Sequence, residues 1–540
     1  MTPQNYTAVL IDTVAIQQYI FSSNKLKENI GASYIIEDLV YHHVMIQVLE
    51  EMPYLKFSSD WKNSPHRIAI ENDDCDAEIA YTGGGNTMIL FKNPDGNIEK
   101  GNSRAVEFIR KYTTELLRLF PGLKTAFGKI NDFELNAFEE SRKKLIASII
   151  QNKNFYNRNV SPTKHGIVAD CPLSNEAAEK IYYPFSKDQP ISATSIVKLQ
   201  AAKQAQFEIQ KKYDGILVNK YLFTDEIEKL GQPDEKGYIA IVHVDGNGIG
   251  KRVIECKTLE ELRSFSIAVS TLASDVMKQL IEHTIKRFEP GGLNEDNGFV
   301  LKKYKIGKDD RNPTKDEVQW DKEERRLLPI RPLITAGDDF TFICDGRLGV
   351  HLAEKLIEFL NKKEVQGKPV SACAGVAIVK TSYPFYRAYT LAEDLMKEAK
   401  KEARLIEGSS WLSFLISSGG YSGDLDDILN KQFTAPCGIL TMRAYRVDQP
   451  GSTMQQLKEG IKHFTIGDKS WPKNKLMHLR DVLLENKAHQ QYFLAEMKAR
   501  KLDLPAYNGH YHSSLWEKNI TPYYDVIDLI DFYPKELLNK

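Results

Sequence analysis

The feature that most constrains this fold is a series of predicted elements that occurs twice in the same order. The first copy opens with a short apolar segment at 6–12, bounded by polar residues, which predicts a buried strand. The elements predicted after it are a helix at 25–52, a strand–turn–strand segment at 77–92, a helix at 104–120, a strand at 123–130 and a charged helix that ends near residue 150.

The second copy repeats this order from residue 237 onward. Its first segment, GYIAIVHVDG (237–246), is almost uninterrupted in apolar residues, which is typical of a central strand covered on both faces. The elements that follow are a helix at 259–288, two strands around a tight turn at 327–346, a helix at 349–363, a strand at 369–379 and a helix at 386–404. Strand, helix, hairpin, helix, strand is the ferredoxin-like, or palm, order. The sequence therefore predicts an α/β (α+β) protein with two such domains, produced by duplication.

Four regions are predicted along the chain. The two palm domains occupy 1–150 and 233–407. Between them, 151–232 has a polar and mostly helical pattern and is interpreted as a helical linker domain. Residues 408–540 are interpreted as a C-terminal helical domain. The segment 289–326 is charged and poor in aliphatic residues, which indicates an insertion or a mobile loop in front of the second hairpin.

Composition excludes several classes of protein. The 72 basic and 73 acidic side chains leave a net charge of −1. The chain therefore has no overall positive potential that would favour sequence-independent binding along a polyanion. The six cysteines are scattered without a C-x-x-C pair, which argues against a disulfide framework or a zinc ribbon and favours a cytoplasmic protein. We expect neither export nor a membrane span, because no apolar stretch approaches about eighteen residues.

The two copies can be aligned at their hairpin turns. The turn segment 82–86, TGGGN, falls on 335–339, TAGDD. The first strands match as well, with Asp12 falling on Asp245. The second copy thus carries carboxylates at three positions where the first carries one: Asp245, Asp338 and Asp339.

Two adjacent acids at a tight turn indicate a metal site. A Gly-Asp turn alone is ordinary turn chemistry. Asp338 and Asp339, however, repel each other between two apolar strands and are costly to bury unpaired. In a palm sheet the strand that ends in Asp245 lies beside this hairpin, so the three acids are expected to converge at one edge. Two Mg²⁺ or Mn²⁺ ions held there by carboxylates could activate an attacking hydroxyl and stabilise leaving pyrophosphate.

A glycine-rich segment, GNGIGK (246–251), follows Asp245. Its glycines let the backbone approach a phosphate, and successive amides that face one way bind anions. The spacing fits neither a Walker loop nor G-x-G-x-x-G, and a flexible turn is the alternative. The residues predicted to contact nucleotide in the two glycine turns are Gly246, Asn247, Gly248, Gly250 and Gly337.

Two cations on the last predicted palm helix are further candidates. Lys400 and Arg404 are four residues apart and therefore share one helix face. They would bind the β- and γ-phosphates, Lys400 as a point charge and Arg404 through the paired N–H donors of its guanidinium. The alternative is that they are solvated surface cations beside Glu398 and Glu402.

Two other motifs are interpreted as structural. His510 and His512 have no acid or cysteine at metal-ligand spacing. The segment Gly83-Gly84-Gly85 resembles a phosphate loop, but it lacks acids. It is therefore interpreted as part of a degenerate copy that is retained for folding or as half of a shared cleft.

At this point the motifs resemble a known family. The segments AGDD (336–339), VDGNGIG (244–250) and AEDLMKEAKKEAR (392–404) resemble the GGDEF-related cyclase palm. The chain is more closely similar to the large double-palm subunit of type III CRISPR effector complexes. In that subunit a degenerate first palm with a GGGN-like turn precedes an active palm with a GGDD turn.

Three further segments also resemble that subunit, so the resemblance runs from about residue 6 to the C-terminus. They are IVADCPLSNEAAEK (167–180), LTMRAYRV (440–447) and WPKNKLMHLRDVLL (471–484).

The resemblance implies a nucleotidyltransferase that makes cyclic oligoadenylate second messengers from ATP in antiviral defence, with a 3′-hydroxyl attacking the α-phosphate. It implies that Asp338 and Asp339 are the family's paired metal-binding and catalytic acids, and that Asp245 is its first-strand acid. Lys400, with Arg404, matches a phosphate-contacting position. The implied partners are ATP, other effector subunits, and guide and target RNA.

The sequence departs from the family pattern at three points. Ala336 replaces the first glycine of the turn, which is a mild change if that position is extended. No His-Asp doublet occurs, so the phosphohydrolase-like nuclease domain of many members is expected to be absent, and DNA cleavage is not inferred. Cys171 has no nearby cysteine, so we expect the interdomain zinc site to be lost.

Other functions stay open at this stage. The enzyme could act within an RNA-guided complex or alone, and in the second case a homodimer is an alternative. It could also make another cyclic nucleotide or an adenylyl conjugate, because base selection depends on pocket shape. A nucleotide-binding scaffold without catalysis is a further alternative. Acids in only one of the two copies favour an enzyme, because a scaffold gives no reason for that asymmetry.

Overall fold

A computed structural model describes most of the chain: residues 4–156, 166–185, 187–218, 220–230, 237–288, 326–417, 423–468, 470–507, 511 and 514–538. The predicted insertion 289–326 (apart from Arg326), His510 and His512 lie outside these residues. The chain divides into two compact units. The first consists of Met1–Lys212, Gly248–Ser274 and Leu333–Asp338, and the second of Tyr213–Asn247, Asp275–Pro332 and Asp339–Lys540. The predicted linker 151–232 is thus divided at Lys212.

The first unit contains a five-stranded sheet. Its strands, in spatial order, are β2 (Phe57–Ser58), β3 (Ala77–Gly83), β4 (Asn86–Lys92), β1 (Asn5–Thr13) and β5 (Thr125–Glu134). The central strand β1 is antiparallel to both β4 and β5. Its apolar residues are almost fully buried, as a central strand covered on both faces requires.

Helices connect these strands as the sequence predicts. They are α1 (Ile16–Phe21), α2 (Leu26–Tyr34), a π-helical stretch (Ile35–Val44), α3 (Met45–Glu50), α4 (Ile98–Leu119), α5 (Phe138–Tyr156) and α6 (Ala193–Lys212). The predicted helix at 25–52 is therefore confirmed, although its middle is π-helical. In α4 the buried residues Ala105, Phe108, Tyr112 and Leu116 recur every three or four positions, so one face of the helix packs inward.

The second palm contains a six-stranded sheet. Its strands, in spatial order, are β11 (Ile330–Ala336), β12 (Asp339–Asp345), β9 (Tyr238–Gly246), β15 (Ala372–Lys380), β16 (Trp411–Ser417) and β19 (Tyr445–Arg446). The short strands outside the two main sheets are β6 (Lys180–Ile181), β7 (Pro190–Ile191), β8 (Tyr221–Phe223), β10 (Arg326–Leu328), β13 (Glu364–Val365), β14 (Lys368–Pro369), β17 (Thr434–Ala435) and β18 (Gly438–Ile439).

The helices that belong to the second copy are α7 (Asp214–Leu217), α8 (Ile249–Glu255), α9 (Leu259–Phe288), α10 (Gly349–Asn361) and α11 (Phe385–Leu405). The element order of both copies matches the predicted palm order, which confirms the α+β fold class.

Helices α10 and α11 pack on opposite faces of the second sheet. Gly349 of α10 lies against Ala240, whereas Gly375 of β15 lies under α11. A Cβ atom on Gly375 would be 1.9 Å from the carbonyl oxygen of Ala392, so only glycine permits this approach. Because His243 is the register partner of Gly375, α11 covers the sheet face to which His243 belongs.

The region 408–540 begins differently from the prediction. It was expected to be helical, but its first segment is β16, which pairs in parallel with β15 and extends the palm sheet. The segment WLSFLIS is rich in residues that favour strands, and burial against β15 decides its conformation. The helices that follow are α12 (Leu425–Gln432), α13 (Thr453–Thr465), α14 (Lys473–Val482), α15 (Lys487–Ala499) and α16 (Tyr523–Ile530). None of the described helices is both long enough and apolar enough to cross a membrane.

A buried ion pair holds the start of α9 inside the first unit. The Arg263 and Glu78 side chains are 0% and 2% exposed, and they lie 2.7 Å apart. Arg263 also donates to the carbonyl oxygens of Ala80 and Arg67 at 2.7 and 2.9 Å. The other Glu78 oxygen accepts from the Ile70 N–H at 2.9 Å. A buried pair with this many hydrogen bonds is costly to break on one side only.

Replacing Glu78 with Gln leaves the Arg263 charge buried without its counterion. We expect this change to lower the free energy of unfolding by about 3–5 kcal/mol. Urea denaturation of the full chain measures it. The exposed pair Glu139–Lys143 provides the control, and Glu139→Gln is expected to leave the unfolding midpoint unchanged. Equal midpoints for Glu78→Gln and the wild type would contradict a structural role for the buried pair.

Candidate functional site

The first strand and the hairpin of each palm pair in the same register. In the second palm Asp245 is directly opposite Asp339. In the first palm Asp12 is directly opposite Asn86. These are the positions that were aligned from sequence alone, so the alignment of the two copies is confirmed.

The turn of the second hairpin consists of two residues, Gly337 and Asp338, between β11 and β12. Gly337 has a φ of 66°, a conformation that favours glycine. Ala336 is the last residue of β11 and is therefore extended, so the replacement of the family's first glycine is sterically mild.

The turn of the first hairpin, Gly84-Gly85, is held from one side. The Thr13 N–H donates to the Gly85 carbonyl oxygen at 3.0 Å, and the Tyr41 hydroxyl donates to the same oxygen. Gly85 has a φ of 76°, and a Cβ atom there would lie 2.3 Å from Ile16 Cδ1. The backbone conformation therefore favours glycine at this position, and any larger residue would also displace the end of the Ile16 side chain.

Asp245 and Asp339 share one face of the sheet, because directly opposite residues on antiparallel strands point the same way. Lys400, on α11, forms an ion pair with Asp245. Both side chains of this pair are about one-fifth exposed, at 23% and 21%. In one unit of the structure Asp245 therefore lies opposite Asp339 and pairs with Lys400, whereas the predicted convergence of all three acids, with Asp338, stays a prediction. Arg404 lies one turn beyond Lys400 on the same helix and is exposed.

The first palm keeps the same ion pair. Lys153, on α5, pairs with Asp12, as Lys400 pairs with Asp245. Sequence reasoning missed Lys153, although a signal was present. Lys153 follows the helix-packing glycine Gly128 by 25 residues, which is also the distance from Gly375 to Lys400.

The predicted glycine segment begins at the end of β9. Its residue Asn247 is held by protein groups, because its N–H donates to the Ser371 carbonyl oxygen at 2.8 Å. The Asn247 Nδ2 donates to Ser371 Oγ and to the Ser409 carbonyl oxygen, both at 3.1 Å. The Asn247 side chain therefore fixes the segment. Gly248 follows with a φ of 74°, and no described atom lies within 4 Å of where its Cβ would be.

His243 is a second residue that sequence reasoning missed. It lies two residues before Asp245 on the same face of β9 and is 2% exposed. Its Nδ1 is 3.0 Å from Thr341 Oγ1, and its ring makes an edge contact with Tyr389 of α11. Burial lowers the pKa of His243 to about 4, although the charge of Asp245 partly opposes this shift. The imidazole is therefore neutral at physiological pH.

The donor set at the strand ends fits a divalent cation. Asp245 and Asp339 offer carboxylate oxygens from adjacent strands on one face, which are the ligands that Mg²⁺ and Mn²⁺ prefer. No group of three or more Asp, Glu, His or Cys side chains in the described part of the chain is arranged to hold a metal ion. Asp338 is the second residue of the turn and directly precedes Asp339, and its part in the predicted three-acid cluster stays a prediction.

Cys171, at the position where the zinc site was expected to be lost, has mainly apolar neighbours. This thiol is buried among Ile191, Ile196 and Leu199, and its Sγ lies 3.7 Å from Ser195 Oγ. Burial raises its pKa, but hydrogen bonds from Ser174 and from backbone amides lower it further, to about 7.

Both the sequence and the fold of this chain resemble known proteins. Residues 238–405 match the family described as Cas10/Cmr2, second palm domain. Similar solved structures include the Csm1–Csm4 cassette in complex with cA4, with a TM-score of 0.54 and 14% identity over 98% of this chain and 69% of that chain. Another is the same cassette with one ATP, with a TM-score of 0.53, 14% identity, and coverage of 99% and 70%. Csm1 in T. onnurineus has a TM-score of 0.51, 14% identity, and coverage of 98% and 70%. No curated protein matches the sequence.

The fold and the strand-end residues thus define a protein with two palm domains, of which only the second has acids opposite each other at its strand ends. Residues 238–405 match the Cas10/Cmr2 second palm domain, and the chain has the fold of the solved Csm1 structures. The resemblance inferred from AGDD, VDGNGIG and the α11 segment is confirmed.

The buried neutral state of His243 predicts a pH dependence of stability. The folded chain holds its pKa at about 4 against 6.5 in the unfolded chain, so the unfolded chain binds more protons between these values. The free energy of unfolding should therefore fall as the pH drops from 6.5 to 4, by on the order of 3 kcal/mol. Urea denaturation at about pH 7.5, 6 and 5 measures it. His243→Gln should show a shallower dependence, and an identical slope in both proteins would contradict the assignment.

Proposed function

We propose that this chain is a nucleotidyltransferase that uses ATP to make cyclic oligoadenylates in type III CRISPR-like defence. One observation carries the proposal: Asp245 and Asp339 face each other beside Lys400, whereas the corresponding site of the first palm has Asn86 opposite Asp12. Acidic ligands are concentrated in one palm only, as a single catalytic centre requires.

Two further findings support ATP as the substrate. The second palm matches the Cas10/Cmr2 family. Solved Csm1–Csm4 cassettes with similar folds are described in complex with ATP, AMPPNP, cA3 and cA4. These structures match this chain over 98–99% of its length. ATP and a cyclic oligoadenylate are therefore the substrate and product to test first.

The residues at the strand ends have distinct proposed roles. Asp245 and Asp339, with Asp338 in the turn between the strands, would hold the divalent ions. When bound, such ions supply positive charge to the phosphates and lower the pKa of an attacking hydroxyl. Lys400 is placed to exchange its contact with Asp245 for a phosphate oxygen, because an ammonium group binds phosphate as a point charge. The exposed Arg404 is proposed to reach the more distal phosphates.

In the proposed reaction a 3′-hydroxyl attacks an α-phosphate. A bond forms between the 3′-oxygen and the α-phosphorus, the bond from that phosphorus to the bridging oxygen breaks, and pyrophosphate leaves. The hydroxyl proton passes to solvent. Gly246, Gly248, Gly250 and Gly337 are proposed to let the backbone approach the triphosphate, because these positions carry no side chain.

Partner subunits are part of the proposal. The similar solved chains are described as Csm1 assembled with Csm4, so an effector subunit is the first partner to supply in an assay. Guide and target RNA are proposed as activators. One alternative is that the chain acts alone as a homodimer. A second alternative is that it binds nucleotide without catalysis.

Loss of the acids should abolish product formation. Purified chain, alone and with its co-purified partner subunits, is incubated with labelled ATP and Mg²⁺ or Mn²⁺, and the products are separated. We expect Asp245→Asn or Asp339→Asn to lower the rate about 100-fold or more, because each removes a carboxylate ligand. Asp394→Asn is the matched control, since this α11 acid pairs with Lys397. Product formation that survives Asp339→Asn would contradict the proposed site. ATP binding without product under any condition would favour a scaffold.

Lys400 should contribute to nucleotide affinity. Lys400→Met removes the cation at the site, and we expect the dissociation constant for ATP to rise about tenfold, as for the loss of one charge-assisted hydrogen bond. Titration calorimetry or a filter-binding assay measures it. Lys397→Met, three residues earlier on α11, is the control because Lys397 pairs with Glu393 and Asp394. Equal effects of the two variants would show a general charge effect and no specific contact.

A further inference from the structure

Asn247 ties the end of β9 to two segments that come much later in the chain. Its N–H donates to the Ser371 carbonyl oxygen at 2.8 Å, which extends the pairing of β9 with β15 by one residue. Its Nδ2 donates to Ser371 Oγ and to the Ser409 carbonyl oxygen, both at 3.1 Å. In the sheet β15 lies between β9 and β16, so the Asn247 side chain reaches past the start of β15 to the segment that precedes β16. All three residues belong to the second compact unit.

These contacts fix the direction of the Asn247 amide. A carbonyl oxygen only accepts hydrogen bonds, so the nitrogen of the amide, and not its oxygen, must face Ser409. An amide nitrogen carries two hydrogens, and the Ser371 and Ser409 acceptors account for both. The side-chain donors of Asn247 are therefore engaged within the protein, although the sequence predicts a contact between this residue and nucleotide.

Ser409 is held in turn against the end of α11. Its N–H and its hydroxyl donate to the Ile406 carbonyl oxygen at 3.1 and 2.5 Å, and the hydroxyl accepts from Trp411 Nε1 at 2.7 Å. Ser409 is buried, at 1% exposed, so water has little access to these bonds. Because α11 ends at Leu405, this connection joins the contact at Asn247 to the C-terminal end of the helix.

The same helix returns to β9 through Lys400. Lys400 lies within the last two turns of α11 and pairs with Asp245, which precedes Asn247 by two residues. A lysine side chain is a point charge on a flexible stem, so the ion pair by itself does not fix the distance between helix and strand. The hydrogen bonds through Asn247 and Ser409 supply that constraint at the end of the helix. These four residues thus form a closed series of contacts between one strand and one helix.

We propose that Asn247 is a positioning residue for the phosphate-binding cation, because it holds the end of α11 at β9 so that the Lys400 ammonium stays beside Asp245. This inference rests on the proposed function, and it adds to it the residue that sets where Lys400 meets a phosphate. Asn247 acts through Lys400 and contacts no nucleotide. Its loss should weaken ATP binding more than it slows the chemical step, because the pairing of Asp245 with Asp339 does not involve it.

The test is a double-mutant cycle in the full chain, assayed with the same partner subunits as the wild type. Asn247→Ala removes the hydrogen bonds of the side chain, Lys400→Met removes the cation, and a third variant carries both changes. The dissociation constant and KM for ATP are measured together with kcat. Urea denaturation shows whether each variant is folded.

Two single variants complete the set. Ser409→Ala breaks the next link in the series, because it removes the hydroxyl that donates to the Ile406 carbonyl oxygen. Ser410→Ala is the matched control for a lost hydrogen bond in the same connection. The buried Ser410 hydroxyl donates to Asn361 of α10 and accepts from the Ala372 N–H.

We expect Asn247→Ala to raise the dissociation constant and KM for ATP about fivefold with kcat nearly unchanged. This is less than the rise of about tenfold for Lys400→Met, because the cation is displaced and not removed. In the Lys400→Met background, Asn247→Ala should have no further effect. Ser409→Ala should weaken binding in the same direction, and Ser410→Ala should match the wild type.

Three results would overturn the positioning role and leave the proposed function intact. They are wild-type affinity in a folded Asn247→Ala variant, an effect of Asn247→Ala that persists in full without Lys400, and an equal loss in Ser410→Ala. If Asn247→Ala does not fold, wild-type affinity in Ser409→Ala would decide against the role instead. A wild-type chain that neither binds nor converts ATP with its partners would overturn the proposed function, and the positioning role with it.

Discussion

Repulsion between two carboxylates is the constraint on which the second palm depends. Asp245 and Asp339 are directly opposite each other on adjacent strands, an arrangement that destabilises a sheet unless positive charge is near. Lys400 supplies one such charge, and it can do so only because α11 lies close to the sheet. That approach in turn requires Gly375, since a Cβ there would collide with the Ala392 carbonyl oxygen. Sheet register, helix packing and site electrostatics are therefore parts of one arrangement.

The polypeptide of the second repeat is also bound into the first unit. Gly248–Ser274 belongs to that unit, and two buried arginines account for its attachment. Arg263 donates hydrogen bonds to Glu78 and to backbone carbonyl oxygens, and Arg142 donates to carbonyl oxygens at the end of α8. Buried charges are stable only when every donor has a partner, so these contacts specify one arrangement of the segment. The first palm thus supplies packing surfaces for this segment.

Much of this organisation could be predicted from sequence, because periodic apolar patterns and a repeated element order report on local structure directly. The alignment of TGGGN with TAGDD correctly gave the register of both hairpins, since turn length fixes strand pairing. Other features depend on contacts between distant segments. The region that begins with β16 was expected to be helical. The partner strand of β16 lies more than thirty residues earlier in the chain, so the local sequence does not report this pairing. The hydrogen bonds of Arg142 to the end of α8 were missed for the same reason.

The turn of the first palm has a consequence for substitution. Acids at the two positions that match Asp338 and Asp339 would require aspartate at 85 and 86. An aspartate at 85 would have to adopt a left-handed conformation, and the end of the Ile16 side chain would have to move to make room for its Cβ. Both requirements cost free energy, so a pair of acids in this turn is expected to lower the stability of the first palm.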